Sequence, residues 1–313
     1  MNSRVLTGAI FAILLLAVLI PAFVWPLWTV FFLLLVGLFL ALEYHQAMQR
    51  IFRPLSLALT LSSVAVSILG LLPLLVEGKK FRGWQFIPSA LLPPLGYSET
   101  WQRDYRYLVG RSFLYFLAGA SLLLILAVVY TVLSRGAERL PQTVTALAPL
   151  FYIAFPLMLV SVWLFALPNG YRWIFLAFFL PCICDVGAYY GGRFFGKTPF
   201  FHHLSPKKTW EGAAAGLALA ALASGLYFLF FLSGNYAPFR GRGLAFLWGL
   251  ISGALIAVAG ELGDLFASAL KRWSGIKDFS SILPGHGGLL DRFDSILFAL
   301  PLSFFLSLLY YAH

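Results

Sequence analysis

Long runs without a charged residue divide the chain into apolar segments. No Lys, Arg, Asp or Glu falls between Arg4 and Glu43, and six further runs of this kind follow. Crossing a bilayer takes roughly 20 apolar residues, and each run is about that long or longer. The pattern predicts an all-α fold, a polytopic integral membrane protein with about nine transmembrane helices, at about 5–20, 27–43, 54–76, 112–134, 145–167, 171–190, 211–233, 243–270 and 292–311.

The composition excludes a soluble globular domain. Hydrophobic residues make up 61% of the 313 residues and charged residues only 11%, whereas soluble domains are about 25% charged. The first 20 residues resemble a signal peptide, but a second apolar run begins at Trp28 and no small-residue cleavage site intervenes. We therefore expect a retained first helix.

The distribution of positive charge predicts the orientation. With nine spans, 13 of the 22 Lys and Arg residues lie on the side of the N-terminus. Cytoplasmic loops collect Lys and Arg, so we expect a cytoplasmic N-terminus, with loops 191–210 and 271–291 on the same side. We expect residues 1–145 to form N-terminal, lipid-facing and dimer-forming helices, and residues 146–313 to carry the catalytic site.

Acidic residues concentrate in the C-terminal part. Seven of the twelve lie in the last 129 residues, and Asp185, Glu261 and Asp264 interrupt apolar helices. Carboxylates inside a membrane are costly and mark functional sites, although a structural pair with a nearby cation is the alternative. The spacing of Glu261, Asp264, Ser268 and Lys271 places them on one helix face, which requires a polar partner within the bundle.

The loop before the last span combines glycines with charge. It contains Lys277-Asp278, then Pro284-Gly-His286-Gly-Gly and Asp291-Arg-Phe-Asp294. Glycines let backbone N–H groups approach phosphate closely. A helix cap with salt bridges is the alternative. It explains Asp291 alone, and not the cations and the second carboxylate beside it.

Two further segments are ambiguous taken alone. Residues 205–210 read Ser-Pro-Lys-Lys-Thr-Trp, which suits either phosphate binding or a topogenic charge pair with an interfacial Trp. Residues 191–198 match the phosphate-loop pattern G-x-x-x-x-G-K-T letter for letter. That loop requires a preceding strand and a following helix, whereas here a membrane helix precedes and Pro199 follows. These glycines instead favour close helix packing.

Carboxylates beside many cations point to metal-assisted phosphate chemistry. Mg²⁺ binds through one or two carboxylates and leaves positions for phosphate and water, and Lys and Arg hold phosphate oxygens. This equipment suits phosphoryl or nucleotidyl transfer, in which positioning and charge neutralisation supply most of the catalysis.

The 27 residues from Ser268 to Asp294 resemble the signature of the phosphatidate cytidylyltransferase, or CDP-diacylglycerol synthase, family, with no departure from it. Residues 185–196 and 205–212 are also similar to that family. The resemblance implies an enzyme that transfers CMP from CTP to phosphatidic acid, giving CDP-diacylglycerol and pyrophosphate for phospholipid biosynthesis. The implied partners are CTP, phosphatidic acid and membrane lipid, with no nucleic acid and with a homodimer, in a bacterial inner membrane.

The resemblance also implies roles for individual residues. Asp264 and Asp291 would bind Mg²⁺, with a monovalent cation such as K⁺ beside it. Orienting and substrate-binding roles extend to Asp185, Ser205, Asp278 and Asp294. The phosphates of the two substrates would be bound by Lys207, Lys208, Lys271, Arg272, Lys277, His286 and Arg292.

Two other functions stay open at this point. A CTP-dependent kinase of a polyprenol or phytol has a similar build. A cation-coupled transporter would explain the acids within the membrane, but not the basic Pro-Gly-His-Gly-Gly loop.

Overall fold

The computed structural model describes residues 26–76, 99–166, 170–200, 205, 208–232, 241–283 and 287–312. Within these ranges the regular structure is helical, and the extended pairing consists of isolated bridges such as that between Pro199 and Thr209. The α-helices are α1 (Pro26–Met48), α2 (Leu57–Ala65), α3 (Ser67–Val76), α4 (Glu99–Arg135), α5 (Leu140–Leu147), α6 (Phe155–Ala166), α7 (Gly170–Phe195), α8 (Trp210–Tyr227), α9 (Arg242–Trp273) and α10 (Leu290–Ala312).

Eight helical segments of the described chain are long and apolar enough to cross a membrane. They confirm the predicted all-α polytopic membrane fold, and they correspond to the second to ninth predicted spans. The first predicted span, 5–20, lies outside the described residues. The eight segments are Val30–Met48, Leu57–Val76, Arg106–Arg135, Ala137–Ala166, Gly170–Phe195, Trp210–Leu232, Arg242–Trp273 and Leu290–Tyr310.

Several helices extend beyond the predicted membrane boundaries. The interval 77–111 between the predicted spans 54–76 and 112–134 is helical from Glu99 onward, where α4 begins, and α7 and α9 extend to Phe195 and Trp273. The end of an apolar run in the sequence marks where a helix leaves the hydrocarbon, and not where the helix itself ends. Backbone hydrogen bonding then continues, since Lys, Arg and Glu are good helix formers.

The chain divides into two compact units. Unit 1 comprises Met1–Gly170 and Trp273–Arg292, and unit 2 comprises Tyr171–Arg272 and Phe293–His313. The predicted division between residues 145 and 146 stays a prediction.

Unit 1 combines a buried core with an apolar outer surface. Phe116 and Leu40 are fully buried, whereas Leu114, Leu122 and Leu133 on α4 are 59–80% exposed. So many exposed apolar side chains on one helix suit contact with lipid hydrocarbon. Two polar contacts cross this interior: His45 Nδ1 lies 3.1 Å from Thr60 Oγ1, and the Tyr44 hydroxyl donates to the Thr145 carbonyl.

Unit 2 is held together by small residues at helix contacts. A Cβ atom built on Gly216 of α8 would lie 2.5 Å from the Cys184 carbonyl oxygen of α7, and one on Gly263 of α9 would lie 2.5 Å from that of Asp294. Only glycine permits so close an approach of backbones, as is usual for membrane helices. The rings of Trp173, Phe228 and Tyr310 fill the adjoining core at centroid distances of 5.4–5.6 Å.

The rejection of residues 191–198 as a nucleotide loop is confirmed. The segment begins inside α7 and follows no strand. A Cβ atom on Gly191 would lie 2.3 Å from Ala215 Cβ, so this glycine lets α7 and α8 pack closely.

Candidate active site

An ion triad joins three charged residues of unit 2. Lys208 Nζ lies 2.7 Å from Glu261 Oε2 and 2.7 Å from Asp264 Oδ2. The side chains are only 24%, 13% and 27% exposed. Lys208 is therefore the polar partner that the acidic face of α9 requires, and two carboxylates against one ammonium leave a net negative charge.

The local fold fixes the position of Lys208. Residues 198–200 pair with 208–210, through hydrogen bonds from Phe200 N to the Lys208 carbonyl oxygen and from Trp210 N to the Thr198 carbonyl oxygen. Thr209 caps α8, because its hydroxyl accepts a hydrogen bond from Gly212 N at 3.2 Å. This lysine thus projects from a fixed backbone next to a helix start.

The electrostatics of the triad keep Lys208 charged. Burial by itself would lower the pKa of Lys208, but the Asp264 and Glu261 carboxylates outweigh burial and hold the pKa above its ordinary value. The ammonium is therefore protonated throughout the physiological range of pH.

A second acidic site forms around Asp291 in unit 1. Asp291 Oδ2 accepts hydrogen bonds of 2.9 Å from Phe279 N and from Gly288 N. Gly287 has a φ of +81°, and a Cβ atom there would lie 3.0 Å from Asp291 Oδ2 and 3.4 Å from Asp278 Oδ1. The structure thus places Asp278, Asp291, Gly287 and Gly288 close together.

The other predicted site residues occupy varied positions. Asp294 is only 6% exposed, and its Oδ1 accepts a 2.7 Å hydrogen bond from Ser295 N. The backbone carbonyl of Ser205 accepts from Lys208 N in a turn. Lys207 and His286 lie outside the described residues. Asp185, Arg272, Lys277, Asp278 and Arg292 are exposed, while Lys271 is half-buried in the last turn of α9.

Three acidic residues acquire a defined structural role only in the tertiary structure. Glu261 was recognised on the acidic face of α9 but given no role in the site. Glu211 accepts hydrogen bonds from Lys197 N and Thr198 N. It thereby supports residues 198–200, which pair with residues 208–210. Glu43, which in the sequence only ends the first uncharged run, is buried against the loop before α10. No pattern in the sequence links it to residues so far along the chain.

The carboxylates of Asp264 and of Asp291, each within its own unit, are ligands of the chemical type that Mg²⁺ prefers. Asp264 and Asp291 supply hard carboxylate oxygens, and a cation, the Lys208 ammonium, already lies against Asp264. Mg²⁺ needs only one or two carboxylates when substrate phosphates complete its coordination. In the described part of the chain, no three His, Cys, Asp or Glu side chains form a metal-binding group. Asp264 and Asp291 belong to different units, and their sharing of one ion stays a prediction.

Comparison with known proteins decides the family. The pattern of the cytidylyltransferase family matches residues 2–310. The chain belongs to the cytidylyltransferase family. Curated relatives include a Staphylococcus saprophyticus protein named phosphatidate cytidylyltransferase, 38% identical over 174 residues, which are 55% of this chain and 62% of the relative. A Bacillus subtilis protein of the same name is 39% identical over 141 residues, or 45% of this chain and 49% of that relative.

The alignments span less than two thirds of the curated relatives. The match over residues 2–310 confirms, at the level of the family, the resemblance found in the sequence.

Proposed function

We propose that this protein transfers CMP from CTP to phosphatidic acid, producing CDP-diacylglycerol and pyrophosphate. The observation that carries the proposal is the Lys208–Glu261–Asp264 triad, a concentration of charge on an otherwise apolar helix. Membership of the cytidylyltransferase family and the printed names of the relatives support the choice of substrates.

The reaction needs no protein nucleophile, because the acceptor carries its own. A phosphate oxygen of phosphatidic acid attacks the α-phosphorus of CTP. A new P–O bond forms, the bond from the α-phosphorus to the bridging oxygen breaks, and pyrophosphate leaves with the electron pair. Mg²⁺, when bound, supplies neutralisation of phosphate charge, and a monovalent cation such as K⁺ is proposed beside it.

The residues of the chain bind and orient the reactants in this proposal. Asp264 and Asp291 are the proposed metal carboxylates, each held by neighbours within its own unit. Lys208 keeps the two acids of α9 in place and is charged for phosphate contact. The remaining proposed phosphate ligands are Lys207, Lys271, Arg272, Lys277, His286 and Arg292, with Asp185, Ser205, Asp278 and Asp294 as orienting groups.

Purified protein in detergent tests the reaction. We expect CDP-diacylglycerol and pyrophosphate from CTP and phosphatidic acid, strictly dependent on a divalent metal. We expect no product with diacylglycerol, since the attacking group must be a phosphate. Phosphorylation of diacylglycerol or of a free polyprenol would instead indicate a lipid kinase. Ion flux in vesicles without nucleotide chemistry would indicate a transporter.

We also propose that loops 191–210 and 271–291, of which residues 196–209 and 274–289 lie between helices, face the cytoplasm of a bacterial inner membrane, where CTP is available, and that the protein is a homodimer. Alternation of the spans and the excess of Lys and Arg support this orientation.

Cysteine labelling tests the orientation. Pro199→Cys and Ser281→Cys, placed at exposed positions, are introduced singly after Cys182 and Cys184 are replaced by Ala. Each new thiol is expected to react with a membrane-impermeant maleimide only once the cytoplasmic side is opened. Labelling of intact cells from outside would contradict the proposed orientation.

A further inference from the structure

Glu43 is a buried carboxylate near the end of α1. Glu43 is only 2% exposed, and the hydrogen-bond partners of its side chain lie far along the chain. Glu43 Oε1 accepts hydrogen bonds from Ser280 Oγ at 2.5 Å and from Leu289 N at 2.9 Å, and Oε2 accepts one from Leu290 N at 2.6 Å. One side chain of the N-terminal half thus holds both arms of the loop before α10.

These contacts explain how the carboxylate tolerates burial. A buried charge is costly unless it is hydrogen-bonded, and here the donors include two N–H groups at the start of α10. The first N–H groups of a helix have no partner within the helix, and the helix dipole favours negative charge at that end. Glu43 and the first turn of α10 therefore satisfy one another.

The same contacts explain why position 288 requires glycine. A Cβ atom on Gly288 would lie 2.8 Å from Glu43 Oε2 and 2.9 Å from Ser280 N. Gly288 N in turn donates to Asp291 Oδ2 at 2.9 Å. Gly288 thus contacts two carboxylates, Glu43 and Asp291.

We propose that Glu43 is a positioning residue, which sets the place of Asp291 by fixing the backbone of Gly288, Leu289 and Leu290. Its effect on turnover rests on the proposed function, in which Asp291 is a metal carboxylate. The effect of Glu43 on the order of the loop does not depend on the proposed function. Within unit 1, α1 thereby contributes a contact to the loop that precedes Asp291.

Glu43→Gln tests the proposal at nearly constant volume. The amide of the variant places an NH₂ donor where one carboxylate oxygen accepts hydrogen bonds. This NH₂ group then faces an N–H or O–H donor of the loop, so we expect the loop to move away. Misplacement of a catalytic group by about 1 Å costs on the order of 10²-fold in rate. We expect kcat for CDP-diacylglycerol formation to fall by about that factor, with a smaller change in the KM for CTP.

A second measurement reads the loop without the reaction. In the background lacking both native cysteines, Ser281→Cys should react faster with a water-soluble maleimide when Glu43→Gln is also present. This rate reports the order of the loop even if the unmodified protein makes no CDP-diacylglycerol, an outcome that would reject the proposed function alone.

Thr60→Val is the matched control. It removes a different buried side-chain contact of α1, that of His45 with Thr60, which involves no residue of the loop. We expect it to lower thermal stability without changing kcat or the Ser281→Cys labelling rate. The proposal is overturned if Glu43→Gln leaves both quantities at their original values. It is equally overturned if Thr60→Val changes them as much as Glu43→Gln does.

Discussion

Asp264→Asn is expected to lower kcat for CDP-diacylglycerol formation by about 10²- to 10³-fold, the usual cost of removing one preorganised electrostatic contact. Asn has the shape of Asp but no charge, so the change isolates the electrostatic role. The fold should survive, because Lys208 keeps its 2.7 Å ion pair with Glu261.

The dependence of the rate on Mg²⁺ concentration distinguishes metal binding by Asp264 from a purely structural ion pair with Lys208. If Asp264 binds Mg²⁺, Asp264→Asn should also raise the Mg²⁺ concentration that gives half-maximal rate. Ser268→Ala, one helical turn further along α9, is the matched control and should change neither quantity. Normal turnover of Asp264→Asn at limiting Mg²⁺ would show that the metal carboxylate lies elsewhere.

The sequence predicts the membrane helices because hydrocarbon imposes a simple rule. Every span must be long and nearly uncharged, so the interval between Arg111 and Arg135 identifies α4 at once. The same rule misplaces the start of this helix. Glu99 to Arg111 is polar enough to be taken for loop, and only backbone hydrogen bonding shows that it is helical.

The candidate site is predictable where its residues are neighbours along the chain. Glu261 and Asp264 lie three residues apart, so a shared face follows from helix geometry alone. Gly288 and Asp291 are likewise close, and the cap between them follows from the helix start. The pattern also requires a polar partner for the acids of α9.

The identity of long-range partners is not predictable in the same way. Lys208 is separated from Glu261 by 53 residues, and its sequence context suits phosphate equally well. Glu43 and Leu290 are 247 residues apart. An acid at the end of an apolar span looks like an ordinary interfacial residue until the tertiary fold shows that it is buried.

Asp291→Asn and Asp291→Ala together separate the charge of this residue from its structural role. Asp291 Oδ2 holds Phe279 N and Gly288 N, each at 2.9 Å. Asn retains one carbonyl oxygen able to accept both hydrogen bonds, whereas Ala retains none. We therefore expect Asp291→Asn to leave the thermal stability unchanged. In the Ser281→Cys background, we expect it to leave the labelling rate as slow as that of Ser281→Cys alone.

The two variants should nonetheless both be poor enzymes. Asp291→Asn loses the charge that neutralises a bound cation, so kcat should fall by about 10²- to 10³-fold. Asp291→Ala should lose activity and also leave two backbone N–H groups without their acceptor, which costs about 1–3 kcal/mol for each group that stays buried. Its thermal midpoint should drop and its loop should label faster. Asp291→Asn with normal kcat would restrict Asp291 to holding the loop before α10, and would leave Asp264 as the remaining candidate for the metal.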